Sequence, residues 1–557
     1  MRSCLVACWL FFVASTAFAA ELQRPNILVL MAEDMSARVG AFGDKVAVTP
    51  NLDALARQGV RYPNVFTTAG VCAPSRAGHI LGMHQISTGT QHMRTSSRPQ
   101  GGYFSVPPAD VKAYPELLRA AGYYTYTDFK LDYQFSHSMA NTGPFTIWDA
   151  QGTNASGWRD RAEGQPFYAL INFMETHESG VFTPLGTMPN SLTHFVMQGM
   201  RWWRLDEDPP SAVSAQQVVV PPYYPDTLTV REDIARHYNN IALMDSRVGQ
   251  ILDQLEADGL ADDTIVIWTT DHGDGLPRAK RELHDAGTRV PMIIRWPDQF
   301  RPAHLQPGQL DERLVSFVDL APTILALGAV AAPAHLHGRD LLDPDAAPRS
   351  YAFSSRDRID EVSDRQRSVR DERFRYIRSW NPELAMGHPL EFRDNIAMVR
   401  EMREMNEQGT LNRQQARWFK PVGEERLYDI IADPHELIDL ATDPNYATEL
   451  KRLRQVLTSH LVKVGDWSEQ SERDMVARFE PDAERRMTMP PNATIDGNVL
   501  SAVPRSPGSS IGYSLDQGER WLLYSGPVAV PADSQVLVKA VRYGWLESDE
   551  VIARYIQ

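Results

Sequence analysis

Apolar runs alternate with amphipathic stretches along most of this chain. "NILVLMA", residues 26–32, is apolar almost without a break and is followed at once by Glu33 and Asp34. Such a run reads as a strand buried on both faces, as in a parallel sheet covered by helices. "TPNLDALARQGV" has helical spacing, with Thr49 or Asn51 as cap and Gly59 as stop. "AYPELLRAAGYYTYTDFK" reads as helix, Gly122, then strand, and "PFYALINFMETH" as another buried strand after Pro166. "VREDIARHYNNIALMDSRVGQILDQLEADGL" is a long amphipathic helix and "TIVIWTTDHGD" the buried strand after it. "VPMIIRWP" and the helix "DLAPTILALG" complete the pattern. Alternation of strand and helix over about three hundred residues predicts an α/β fold with a mostly parallel sheet.

From about Ser354 the texture changes. "RSVRDERFRYIRSW" predicts a charged antiparallel strand pair, and "EFRDNIAMVREMREMNEQGTLNRQQARWF" a polar helical region suited to roofing a cleft. "ERLYDIIADPHELIDLA" returns to compact structure, and a helix follows from Asn445 to about Val464. The last stretch has short alternating runs separated by Pro, Gly, Asp and Ser, the pattern of a small β-sandwich. The expected organisation is an α/β domain over 21–353, a smaller α+β subdomain over 354–478 and a β-sandwich module over 479–557.

The first twenty residues, "MRSCLVACWLFFVASTAFAA", read as a secretory signal: Arg2, an apolar run to Val13, then small residues suited to signal peptidase. That run is short for a bilayer and no later one is long enough, so a periplasmic or secreted protein with no membrane span is expected. Cys4 and Cys8 leave with the signal, so the mature chain keeps one thiol, Cys72, and no internal disulfide is available to it. The formal net charge of −15 argues against nucleic-acid binding. An anionic substrate would meet an opposing field, so local cations would have to attract it.

Two of the buried runs end in possible metal ligands: Glu33 and Asp34 after the first, Asp271 and His272 after the later one. Sites in parallel sheets form at the carboxyl ends of strands, and carboxylates with one imidazole suit a hard or borderline divalent cation. The competing reading is that each pair caps the next turn.

"CAPSR", residues 72–76, matches the signature C-x-P-S-R, and over about residues 24–465 the chain resembles the type I sulfatases, bacterial relatives of heparan N-sulfatase in particular. The resemblance implies an alkaline-phosphatase-like fold and a Cys72 oxidised to formylglycine by a formylglycine-generating enzyme. It also implies a Ca²⁺ held by Asp34, Asp271, His272 and residue 72, with Glu33 where the family has aspartate. Arg76 would hold the nucleophile, on one face of a helix beginning near Ser75. Lys280 matches the sulfate-binding lysine, Lys130 the earlier lysine of the family's Lys-x-His, and His177 in "METHESG" the residue that protonates the leaving oxygen. Asp132 stands where the family usually has a histidine, and "ILGM" replaces the family's Leu-Thr-Gly-Arg. His92, Arg94 and His284 are expected as polar groups of the substrate pocket. The implied activity is hydrolysis of sulfate groups on a carbohydrate; the alternatives are a phosphonate or phosphate ester hydrolase of the same superfamily, or a catalytically silent glycan-binding protein.

Overall fold

The structure is a computed structural model describing residues 24–98, 101–152, 155–182, 186–204 and 209–556. The expected signal segment, with Cys4 and Cys8, lies outside the described residues. Eight strands form the central sheet: β1 (Asn26–Ala32), β2 (Gly59–Phe66), β3 (Tyr124–Thr127), β4 (Ala150–Gln151), β5 (Phe167–Phe173), β6 (Thr264–Thr270), β7 (Arg289–Arg295) and β8 (Val315–Ser316). Their spatial order is β4-β3-β5-β1-β6-β7-β2-β8. Neighbours are parallel except at β7, which runs antiparallel to both β6 and β2.

β1 shows why this sheet needs unbroken apolar runs. Side chains alternate across a strand, and here both faces are covered. Leu28, Leu30 and Ala32 enter one core with Ile234, Ile241 and Val248 of the long helix Leu228–Ala257. Ile27, Val29 and Met31 enter the other with Ile80 of the helix Cys72–Leu81 and Ile324 of the helix Leu320–Leu327. Each such aliphatic side chain contributes about 1.5–3 kcal/mol on full burial. The long helix starts where the Thr227 side chain accepts the Val230 amide, an N-cap that satisfies an otherwise orphaned donor.

A second, antiparallel sheet joins β9 (Ala352–Arg356), β10 (Gln366–Arg370), β11 (Phe374–Ser379) and β12 (Glu425–Asp429) in the order β12-β11-β10-β9. One face packs on the helix Ala447–Val464 through Val369, Tyr376, Leu453 and Leu457. Its charges are largely buried and paired: Arg356 lies 2.9 Å from Glu282, and Arg375 lies 2.9 Å from Glu436. Arg356 also donates to the Arg281 carbonyl at 2.9 Å, so this sheet grips the segment that carries Lys280.

The terminal residues form two further four-stranded sheets. One orders Val528–Ala529, Val499–Val503, Asn492–Asp496 and Arg554–Ile556; the other orders Leu522–Tyr524, Ser510–Ser514, Leu537–Val541 and Val551–Ile552. They enclose a core of their own around Ile495, Leu500, Ile511, Val536 and Val538. All the pairings are antiparallel except that of Arg554–Ile556 with Asn492–Asp496. Among the described residues no helix is long and apolar enough to cross a membrane.

Candidate active site

The parallel register of β1 and β6 pairs Ala32 with Thr270. The next residues along each strand, Glu33 and Asp34 on one and Asp271 and His272 on the other, therefore meet at the carboxyl edge. The ladder continues into them, with the Asp271 amide donating to Ala32 O at 3.0 Å and the Asp34 amide to Asp271 Oδ1 at 3.1 Å. All four side chains are buried. Gly273 is required beside them, because a Cβ there would stand 1.9 Å from Ala286 O.

Cys72 opens the helix Cys72–Leu81, three residues earlier than the start expected near Ser75. Pro74 fits the first turn, where a missing amide costs nothing, so it does not push the start downstream. Arg76, one turn after Cys72, ties three strand ends together. It donates to Glu33 Oε1 at 2.9 Å, Asn172 Oδ1 at 2.6 Å and Asp271 Oδ2 at 3.1 Å. The Ser75 hydroxyl donates to Asp271 O at 2.6 Å, fixing the helix start on β6.

Asp34 Oδ1 lies 2.9 Å from His272 Nε2, and Cys72 Sγ lies 3.4 Å from the same nitrogen. One ligand atom from each of Asp34, Cys72, Asp271 and His272 falls within 4.8 Å of the others. His272 Nδ1 lies 3.0 Å from Gly273 O. A carbonyl only accepts, so Nδ1 carries a proton and Nε2 is the atom that faces the carboxylates. That arrangement calls for a cation between them. Accordingly, although burial works against its protonation, Asp271 and Asp34 push the His272 pKa up to about 10. A divalent cation fits the same donors, so the residues present suit a metal.

A second group, Glu33, Asp34, Cys72 and His177, overlaps the first. Lys130 Nζ lies 2.7 Å from Glu33, Lys280 Nζ pairs with Asp34 Oδ2, and His177 Nε2 lies 4.0 Å from Glu33 Oε2. Burial raises the Glu33 pKa against the pull of Lys130 and Arg76, whereas at Asp34 Lys280 and His272 outweigh burial and hold it well below the usual carboxylate range. Burial and Lys280 hold His177 well below its ordinary pKa, so it is neutral.

Lys130 and His177 open onto a cleft of about 520 Å³, also lined by Arg94, Asp132, Met200, Arg201 and Phe392. Arg94 donates to both Asp132 oxygens, at 2.9 and 3.1 Å. His92 and His284, expected in this pocket, stand elsewhere. His92 Nδ1 accepts the Arg358 amide at 3.2 Å, and burial lowers its pKa to about 4. His284 packs against Tyr428 with neither ring nitrogen hydrogen-bonded, and burial keeps it neutral. Both rings are used in packing between segments and do not face the cleft.

Several groups at this site escape a sequence reading. Asn172 breaks the apolar run of β5 and receives Arg76, a signal that was visible. Glu178 and Arg281 adjoin residues of interest and pair at 2.6 Å, with Glu178 3.4 Å from Lys280. Ser179 lies 2.8 Å from His177 Nδ1.

The comparisons agree with this architecture. The family model Sulfatase matches residues 25–330, and that of the N-sulphoglucosamine sulphohydrolase C-terminal region matches 278–408. An ulvan-active sulfatase of Formosa agariphila is 38% identical over 555 residues, covering 95% of this chain and 91% of that protein. Human N-sulphoglucosamine sulphohydrolase is 28% identical over 469 residues, 78% of this chain and 89% of that one. Among solved structures, a 2-O GAG sulfatase superposes with a TM-score of 0.58 at 19% identity, covering 81% of this chain and 96% of that chain. The phosphonate monoester hydrolase of Agrobacterium radiobacter gives 0.51 at 19% identity, over 80% and 96%. At such identities these two speak for the fold, which is alkaline-phosphatase-like. By the family match and the Formosa relative, the chain belongs to the sulfatase family and is a sulfuric ester hydrolase.

Proposed function

We propose that this enzyme removes sulfate groups from a sulfated oligosaccharide or polysaccharide outside the cytoplasm. The observation that carries the reading is the setting of Cys72, the first residue of a buried helix, with Arg76, Lys130, Lys280 and His177 gathered on the carboxylates around it. Relatives named for ulvan and for N-sulphoglucosamine supply the substrate class.

Asp34, Asp271 and His272, with residue 72 and with Glu33 at their border, would hold one Ca²⁺, which supplies positive charge beside the nucleophile. The family implies that Cys72 is converted to formylglycine on export by a formylglycine-generating enzyme, and its hydrate supplies a hydroxyl able to attack sulfur. The remaining work belongs to the side chains around it. Lys130 and Lys280 supply cationic donors for sulfate oxygens, in surroundings where burial strengthens their field. Arg76 fixes the helix start against three strand ends, so the nucleophile is held before substrate arrives. His177 presents Nε2–H to the leaving oxygen. A bound sulfate anion would favour a second proton on Nδ1, facing the Ser179 hydroxyl. This imidazolium could give the departing alkoxide its proton and end as a neutral ring. Arg94, Arg201 and Lys130 bring cations to the cleft wall, although Asp132 and Glu33 pair with the first and last of them, so a sulfated substrate meets local positive charge on an anionic molecule.

The test is a panel of defined sulfated oligosaccharides beside phosphate and phosphonate esters of matched alcohols, with the released inorganic ion as readout. Sulfate release that disappears in Cys72→Ala is the expected result. Preference for the phosphorus esters, or sugar binding with no release, would overturn the reading.

A further inference from the structure

Tyr543 follows the strand Leu537–Val541 of the terminal sheets, yet its ring does not belong to their core. It is fully buried in the core beneath the central sheet, among Leu131, Tyr133 and Phe135. It stacks on Phe135 with ring centroids 4.9 Å apart and an interplanar angle of 9°. Its hydroxyl donates to Glu116 Oε2 at 2.7 Å and accepts the Ala113 amide at 3.3 Å, which fixes the plane of the ring.

Further contacts join the terminal sheets to this core. Lys112 donates to Gly508 O at 2.8 Å, Arg119 to Trp521 O at 2.7 Å, and Arg542 to Pro107 O. Backbone meets backbone at Gly544 and Gly508, where a Cβ would fall 2.2 Å from Ser105 O and 2.3 Å from Ala109 O.

Phe135 ends a segment whose residues alternate in destination. Leu131, Tyr133 and Phe135 enter the core, while Lys130, Asp132 and Gln134 line the cleft. Asp132 and Gln134 hold positive φ, 60° and 67°, a conformation that persists in non-glycine residues only where the surroundings enforce it. The packing of the alternate residues supplies that enforcement, and Tyr543 is its far end.

We propose that Tyr543 is a positioning residue for the cleft. By clamping Phe135 it holds the strained segment that presents Lys130 and Asp132, so the terminal sheets are a working part of the site and not a separately acting sugar-binding module. The activity arm rests on the function proposed above; the structural arm does not.

The experiment uses the full chain with Tyr543→Leu, which removes the stack, and Tyr543→Phe, which keeps it. Hydrogen exchange followed by mass spectrometry should show residues 129–136 opening in Tyr543→Leu while β1 and β6 keep their protection. In Tyr543→Phe the segment should stay closed. Turnover of a sulfated sugar should fall in kcat by up to about 10²-fold in Tyr543→Leu, the scale of an ångström-sized misplacement, and hold in Tyr543→Phe. Phe135→Leu should reproduce the loss, and the double variant should be no worse than either single change. Unchanged exchange at 129–136 in Tyr543→Leu, or a kcat loss that merely follows the folded fraction, would overturn the inference. Opening of the segment in a protein that releases no sulfate even unmutated would sustain the positioning role and sink the functional reading alone.

Discussion

The backbone amide of Ser179 donates to Nδ1 of His177 at 3.3 Å, and the Ser179 hydroxyl lies 2.8 Å from the same nitrogen. An imidazole nitrogen that accepts carries no proton, so the His177 proton sits on Nε2, the atom directed at the site. His177→Ala should cost about 10²–10⁴ in kcat on a sugar sulfate and clearly less on an aryl sulfate, whose phenolate leaves without help. Ser179→Ala keeps the backbone donor and should cost only about tenfold, with the same preference between substrates. Equal losses on both esters in His177→Ala would mean that it holds sulfate and protonates nothing.

A bound metal has a signature that needs no turnover. A ligand that binds only the folded state stabilises it by about 2.7 kcal/mol at a hundred times its Kd. Calcium added to chelator-treated protein should therefore raise Tm, and Asp271→Ala should abolish the rise along with activity. An Asp271→Ala protein that keeps both would remove the site.

Arg76 is 2% exposed and faces two buried carboxylates, Glu33 and Asp271. Removing one partner from such a network leaves charge uncompensated, at a cost of about 3–5 kcal/mol. Arg76→Ala should show that loss by urea unfolding in calcium-free buffer, in addition to inactivity. A change within the error of the measurement would mean that the acids are neutral in the folded protein.

His84, His337 and His460 cluster just past the end of the helix Cys72–Leu81, with the His84 amide donating to His337 Nδ1 at 3.1 Å. Burial, with Lys463 and His335 nearby, lowers His337 to about 4, and burial, with His337, Arg349 and Lys463 nearby, lowers His460 to about 3. Because these values lie below the unfolded one, the unfolded chain binds more protons between about pH 4 and 6.5. Stability should therefore be at its full value above pH 6.5 and fall as pH drops towards 4. His460→Phe keeps the stack on Phe353 and should flatten that fall. An unchanged slope of Tm against pH would contradict the assignment.

What was legible in the sequence follows from how each feature is encoded. β1, β5 and β6 are buried on both faces, so their apolar runs identify them, and the acids stand out because they end those runs. The direction of β7 was not legible, since an apolar strand reads alike whichever way it runs. β2 carries no clear strand pattern in the sequence, because Pro63 and a register shift between Tyr62 and Val65 break its alternation. His92 and His284 read as pocket groups in the sequence because polarity next to a motif suggests exposure to substrate. Their rings instead pack against segments distant in sequence, Arg358 and Tyr428, which no local pattern reveals. The stacking of Tyr543 on Phe135 is equally invisible along the chain, whereas Asn172, polar within an apolar strand, was a signal open to reading.

The account turns on residue 72, and the mass of the peptide containing it is the most direct test. In active enzyme purified from a host able to carry out the conversion, that peptide should be about 18 Da lighter than its thiol form, from replacement of the thiol by an aldehyde, a product outside the ordinary oxidation series of cysteine. The lighter fraction should rise and fall with specific activity across preparations. Full activity in a preparation whose Cys72 is entirely thiol would contradict the account.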